Sequence, residues 1–241
     1  MPHFFINSEN INNNNIEFSE DYRHLVKSLR LRVGEKLLLI DENAIQYETK
    51  VKEIKSSTIV AEILKKYPSK RELEFELYLA QTPLRSDAQN LLIEKATELG
   101  VKGIYPILTD NCAVAKNIVE KKVEKWQKIM IESSKQCERA KIPACFAPIN
   151  LEKLIESESF DRIIAFCERN CELSLKNYLR EYKIKPNEKI LVIIGPEGGF
   201  SKNEFDYFQN NKKITCVTLG NLILRAETAV IVGLGNIIYE Y

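Results

Sequence analysis

The stretch Ile190-Leu191-Val192-Ile193-Ile194-Gly195-Pro196-Glu197-Gly198-Gly199 constrains this chain more than any other. A short, unbroken run of β-branched and aliphatic residues reads as a strand buried on both faces, the environment of a parallel sheet covered by helices. The run then breaks into a turn with three glycines and a single carboxylate. In open parallel sheets, ligands sit beyond the carboxyl ends of the strands. Gly195, Gly198 and Gly199 permit positive φ and let main-chain N–H groups come close to such a ligand. A tight strand-to-helix turn in which glycine only relieves sterics is the alternative, and this stretch by itself supports both. The spacing is neither G-x-G-x-x-G after a first strand nor G-x-x-x-x-G-K-[ST], which argues against NAD and ATP.

The surroundings of this strand fit the same sheet. From residue 71 onward, apolar strands at 77–81, 104–108, 162–167, 190–194 and 215–219 alternate with amphipathic helices at about 86–99, 117–138, 172–182, 201–210 and 226–240. That alternation predicts an α/β domain over 71–241 with a mostly parallel sheet. Residues 1–70 have a different rhythm, with short strands at 4–6, 35–41, 47–51 and 57–63, turns between them and a short helix at 20–29. They predict a small β-barrel. The tract Ile11-Asn12-Asn13-Asn14-Asn15 reads as a solvated loop.

Composition removes several function classes. A net charge of only +1 gives no global field for nucleic acid, so any RNA-binding surface must be a local patch. No apolar stretch approaches the roughly 20 residues a membrane span needs, and the first residues lack the pattern of a signal peptide; a cytoplasmic protein is expected. The six cysteines are scattered, and only Cys167 and Cys171 are close, at a spacing that suits neither redox nor zinc chemistry. Reduced thiols are expected. With His3 and His24 as the only histidines, no metal site is expected.

A second strand end resembles the first. Thr215 to Leu219 closes on Gly220 and runs through Asn221-Leu222-Ile223-Leu224 into Arg225-Ala226-Glu227. Two glycine-bearing loops on successive strands can form two walls of one pocket, with Leu219, Leu222, Ile223 and Leu224 enclosing a flat ring and turn amides meeting its edge. Arg225 opens the last helix, where the helix dipole disfavours a cation. A salt bridge to Glu227 or Glu197 would account for it structurally.

These residues carry a resemblance. Ile194-Gly195-Pro196-Glu197-Gly198-Gly199-Phe200-Ser201 with Glu204, together with Leu219-Gly220-x-x-Ile223-Leu224-Arg225-x-Glu227-Thr228-Ala229, resembles the bacterial 16S ribosomal RNA uridine-N3 methyltransferase family of the SPOUT superfamily. The likeness extends through Glu94 to Val101, Pro106, Trp126-x-x-Ile129, Gln136-x-x-Arg139-x-x-Ile142-Pro143 and His24-x-x-x-Ser28-Leu29-Arg30, nearly the whole chain.

The resemblance implies an N-terminal PUA-like barrel (1–70) that binds RNA and a SPOUT methyltransferase domain (71–241) with a trefoil knot and cofactor site at about 164–229. It also implies a homodimer, S-adenosylmethionine as methyl donor, and uridine N3 in 16S ribosomal RNA of the small ribosomal subunit as acceptor. Periodicity gives no hint of the knot, which general topology rules disfavour. The implied cofactor residues are Cys167, Glu168, Gly195, Pro196, Glu197, Gly198, Gly199, Leu219, Gly220, Leu222, Ile223 and Leu224. Arg225 is the candidate for stabilising charge on the uracil, since a guanidinium offers two parallel donors, and Glu197 and Glu227 are candidates for orienting it or relaying the proton. Arg23, His24, Arg30 and Arg139 are the implied RNA contacts. The alternatives are a related methyltransferase acting at another RNA position and an inactive RNA-binding assembly factor. This chain departs from the family at Asp110-Asn111-Cys112, where many relatives carry Arg-Ser, at Leu222, where many carry arginine, and at His3, near an N-terminal arginine common in the family.

Overall fold

The structure is a computed structural model that describes residues 3–168 and 171–241. By contact the chain divides into two units, Met1–Glu72 with Ser134–Lys141, and Leu73–Ser133 with Ile142–Tyr241.

The first unit is built on six strands: β1 (His3–Phe5), β2 (Ile11–Asn12), β3 (Asn15–Phe18), β4 (Lys36–Ile40), β5 (Ile45–Ile54) and β6 (Ile59–Pro68). They form one sheet in the order β1-β4-β5-β6-β3-β2, parallel between β1 and β4 and antiparallel elsewhere. Alternate residues of the strands point the same way. Leu37 and Leu39 of β4, Ile59 and Ala61 of β6, and Ile16 and Phe18 of β3 thus meet in one core.

Two expectations are corrected here. The asparagine tract is not a loop: it forms the β2–β3 hairpin, with Asn13 at a φ of 52°. Asparagine tolerates that left-handed conformation better than most residues, and the alternating Ile16 and Phe18 anchor the returning strand in the core. The helix expected at 20–29 is a single wide turn, His24–Ser28, closed by the Leu29 N–H donating to the His24 carbonyl at 2.9 Å.

The second unit contains β7 (Glu76–Gln81), α1 (Ser86–Glu98), β8 (Gly103–Leu108), α2 (Lys116–Gln136), β9 (Ala144–Cys145), β10 (Ile149–Asn150), α3 (Leu151–Ser157), β11 (Arg162–Phe166), α4 (Leu175–Glu181), β12 (Lys189–Ile194), α5 (Lys202–Asn210), β13 (Ile214–Val217) and α6 (Ala226–Glu240). Its sheet runs β10-β8-β7-β12-β11-β13, with β9 also on β8, and every pairing is parallel.

Strand β12 is central and is buried on both faces, as its composition requires. Ile190, Val192 and Ile194 join one core with Leu92, Trp126, Leu175 and Leu234, whereas Leu191 and Ile193 join the opposite core with Leu154, Ile155 and Phe208. Trp126 is therefore a core residue. After β13, at the edge of the sheet, the chain turns back and sets α6 against β12, α1 and α4. Helix α3 was not foreseen, although Asn150 caps it by accepting from the N–H groups of Glu152 and Lys153. Helix α4 is shorter than expected because Ser174 caps it, accepting from the Asn177 N–H at 3.2 Å.

Candidate active site

Strands β12, β11 and β13 are neighbours and parallel, so their carboxyl ends open at the same edge of the sheet. There Phe166 to Glu168, Ile194 to Glu197 with Gly199 and Phe200, and Thr218 to Gly220 with Leu222 to Glu227 line a cavity of about 540 Å³. That volume suits a small organic molecule or a cofactor. Residues 169 and 170, which follow Glu168 in the sequence, lie outside the described residues.

The first wall is a turn in which the Gly199 N–H donates to the Pro196 carbonyl at 2.9 Å. Gly199 has a φ of 70°, and a Cβ there would stand 3.1 Å from Glu168 Oε1. Gly195 is bare for another reason, since a Cβ there would stand only 3.0 Å from the Phe200 ring. Gly198 belongs to the turn but does not line the cavity, and a Cβ on it would make only ordinary contact with Asn111, at 3.6 Å. Of the cofactor residues named from the sequence, Gly198 is the one this cavity leaves out.

The second wall is pinned by Thr218, whose hydroxyl donates to the Gly220 carbonyl at 3.0 Å and accepts from the Gly220 N–H at 3.3 Å. Gly220 has a φ of 133°, a backbone region that side chains rarely tolerate. Leu222 and Ile223 are exposed, at 81% and 61%. Among the described residues, no protein group accepts from the main-chain N–H of Phe200, Leu219 or Leu224. Residues with bare backbone, donors without an acceptor among the described residues and apolar side chains thus line one cavity, an arrangement suited to a nucleoside.

Arg225 caps α6 from the rim of this cavity, with Glu227 in the first turn of the helix and Glu197 on the opposite wall. No ion pair joins Arg225 to either carboxylate among the described residues, so the salt bridge that would explain it structurally is not formed. The Cys167 thiol also lines the cavity. Its hydrogen bond to Cys216 and its burial both push its pKa upward, while the same bond lowers that of Cys216. Cys167 is therefore a protonated thiol, a poor nucleophile. All six cysteines are free, and no cluster among the described residues could hold a metal ion.

The first unit brings together some of the expected RNA contacts. Arg23 and His24 share an open cleft with Lys27, Tyr22, Ser56 and Ser57, and Arg30 is exposed nearby in sequence at a φ of 53°. Arg139 is corrected: it is 5% exposed and its guanidinium is bound to Glu72, with Nη2 at 2.7 Å from Oε2. Glu72 also accepts from the N–H groups of Ala140 and Lys141. Arg139 is thus an internal strut of its unit and has no free face for phosphate.

Sequence reasoning did not find the role of the loop after β8. Asn111 Nδ2 donates to the Gly199 carbonyl at 3.0 Å, and Ser201 Oγ donates to Asp110 Oδ2 at 2.6 Å. No local sequence signal points to these contacts, because their partners lie 88 and 91 positions away.

Comparison with known proteins agrees with this geometry. Residues 71–238 match the family described as RNA methyltransferase domain, and residues 19–64 match RNA methyltransferase PUA domain. Ribosomal RNA small subunit methyltransferase E of Rickettsia conorii is 28% identical over 97% of this chain and 93% of its own length. The protein of the same name from Buchnera aphidicola subsp. Schizaphis graminum is 30% identical over 90% of this chain and 87% of its own. The crystal structure of the Neisseria gonorrhoeae ribosomal RNA small subunit methyltransferase E, bound to S-adenosyl methionine, superposes with a TM-score of 0.84 at 25% identity, covering 98% of this chain and 96% of that one. The chain belongs to the RNA methyltransferase family that includes the ribosomal RNA small subunit methyltransferases E.

Proposed function

We propose that this protein transfers the methyl group of S-adenosylmethionine to N3 of a uridine in 16S ribosomal RNA of the small ribosomal subunit. The observation that carries this is the convergence of two bare-backbone turns and the unpaired Arg225 on one cavity of cofactor size. When bound, S-adenosylmethionine supplies a methyl group on a positively charged sulfur. Gly195, Pro196, Glu197 and Gly199 on one wall and Leu219, Gly220, Ile223 and Leu224 on the other would hold it, through main-chain donors and apolar contact, with Cys167 and Glu168 beside them and Leu222 at the open edge.

The acceptor is the harder partner, because uridine N3 carries a proton and is a poor nucleophile until that proton leaves. Arg225 lines the cavity, and its paired N–H donors would hold negative charge on the uracil edge, a role that needs no ion pair in the resting protein. Glu197 and Glu227 flank the same space and either orients the guanidinium or takes the proton. Positioning supplies the remainder of the rate enhancement, by aligning the reacting atoms.

The N-terminal unit, as a PUA-like barrel over 1–70, supplies the grip on RNA, with Arg23, His24, Lys27 and Arg30 as contacts to phosphate. The return of the chain from β13 to α6 supports a trefoil knot over about 164–229. Ile231, Val232 and Tyr239 leave an exposed apolar strip on α6 that supports a homodimer. No helix among the described residues is long and apolar enough to cross a membrane, in keeping with a cytoplasmic ribosome-modifying enzyme. The test is to incubate unmodified small subunits with donor labelled in its methyl group and map the label. Methyl on N3 of a uridine supports the proposal, and label on a ribose or a guanine, or none, refutes it.

A further inference from the structure

We infer that Asn111 is a positioning residue for the methyl donor, acting through the Gly199–Phe200 peptide; this rests on the proposal that the adjoining cavity holds that donor. Asn111 and Asp110 are exposed residues of the loop that follows β8, and neither lines the cavity. Their hydrogen bonds nevertheless converge on the turn that does.

Three contacts form the brace. Asn111 Nδ2 donates to the Gly199 carbonyl at 3.0 Å, Asp110 Oδ2 accepts from Ser201 Oγ at 2.6 Å, and the Asp110 N–H donates to Glu204 Oε1 at 3.0 Å. Ser201 and Glu204 are themselves joined as the capping box of α5, so Glu204 bridges the Ser201 N–H and the Asp110 N–H. At its other end, the loop is closed by the Cys112 N–H donating to the Thr109 carbonyl at 3.1 Å and tied to Thr82, the residue after β7, through the Thr109–Thr82 hydroxyl contact. The Thr82 N–H in turn donates to the Ile194 carbonyl, directly before the glycine turn. The turn is thus tied to this loop directly at Gly199 and Ser201 and, through Thr82, at Ile194.

The consequence follows from peptide planarity. A trans peptide points its N–H opposite its C=O, so holding the Gly199 carbonyl fixes the direction of the Phe200 N–H. That N–H has no protein acceptor among the described residues, and both Gly199 and Phe200 line the cavity. A glycine at positive φ has no side chain to resist rotation of this peptide. The Asn111 amide supplies the restraint, so that the donor does not have to order the turn when it binds.

The experiment is calorimetric titration of the full chain with S-adenosylmethionine, comparing wild type with Asn111→Ala and Asn111→Asp. Loss of one net hydrogen bond predicts that Asn111→Ala raises Kd by about three- to tenfold. Asn111→Asp keeps the shape but sets an acceptor against the Gly199 carbonyl, so its loss should be at least as large. In turnover assays the KM for the donor should rise more than kcat falls, with unfolding midpoints lowered no further than the loss of one hydrogen bond brings. A loop with only a structural role would lower the midpoint and the active fraction and leave the Kd of folded protein as it was. Wild-type Kd in both variants, or unfolding of both, overturns the inference while leaving the cavity assignment intact. Absence of binding by wild type itself refutes the cavity assignment, and the inference with it.

Discussion

Helix α6 contains two glycines, Gly233 and Gly235, for which the structure predicts opposite responses to the same substitution. Helix propensity alone favours alanine over glycine in a helix interior by about 0.8–1 kcal/mol. At Gly235 a Cβ would meet nothing within 4 Å, so Gly235→Ala should gain most of that amount. At Gly233 a Cβ would collide with the ring of Phe166, the last residue of β11, which also lines the cavity. Overpacking of this kind costs about 1–3 kcal/mol. A buried aromatic ring pinned against a sheet belongs at the upper end, so after subtracting the propensity gain the net loss is about 2 kcal/mol. For a domain of this size, that corresponds to a fall in unfolding midpoint of about 4–8 °C. Displaced Phe166 would also intrude on the cavity, so Gly233→Ala should weaken donor binding whereas Gly235→Ala should not. Thermal unfolding followed by circular dichroism, with calorimetric titration of the donor, gives both readings. A Gly233→Ala protein as stable as the Gly235→Ala protein would refute the close packing of α6 on β11.

Gly220→Ala should weaken donor binding about tenfold or more, because holding a side chain at that φ costs about 1–3 kcal/mol; Gly198→Ala should bind the donor like wild type, and calorimetry separates the two. Charge reversal at Arg23 and Lys27 together should weaken binding to small subunits and flatten the dependence of log K on log salt by roughly one unit per lost contact, measured by filter binding across a salt series. Arg225→Ser should abolish methylation in a labelled-donor assay while leaving donor affinity nearly unchanged and the unfolding midpoint no lower than wild type.

What the sequence could disclose depended on how local the determining contacts were. The two-sided burial of Ile190 to Ile194 is a local property, written in a run of apolar residues, and it holds in the fold. Glycine marked both walls of the cavity, yet three glycines in one turn look alike until their torsions are known: Gly199 is left-handed, and Gly198 is neither left-handed nor on the cavity. The asparagine tract hid a hairpin because composition outweighed the alternation of Ile16 and Phe18, a signal that was present. Arg139 was an RNA contact implied by the resemblance, and only its contact with Glu72, 67 positions away, turns it into an internal strut. The Asn111 brace was illegible for the same reason. His3 is a further case: it is buried in β1 beside Phe5, and burial, with the charge of Arg71, lowers its pKa to about 4, so it is neutral at physiological pH and offers phosphate no charge.

Arg225 is costly where it stands unless an anion arrives. It holds the N-cap position of α6, where the partial positive charge of the helix end disfavours a cation by about 0.3–1 kcal/mol, and among the described residues no carboxylate pairs with it to offset that cost. Its backbone is held, since its carbonyl accepts from the Ala229 N–H at 2.8 Å, which keeps the residue beside the cavity. Negative charge appearing on a base at that rim would meet the helix end and the guanidinium together, and both interactions strengthen as the charge develops. Interactions that grow toward the transition state accelerate a reaction, whereas those already made in the resting state do not. Serine at the same position would cap the helix better, by about 1 kcal/mol. On the proposed function, arginine there in place of the better cap exchanges stability for a charge that acts when substrate is bound.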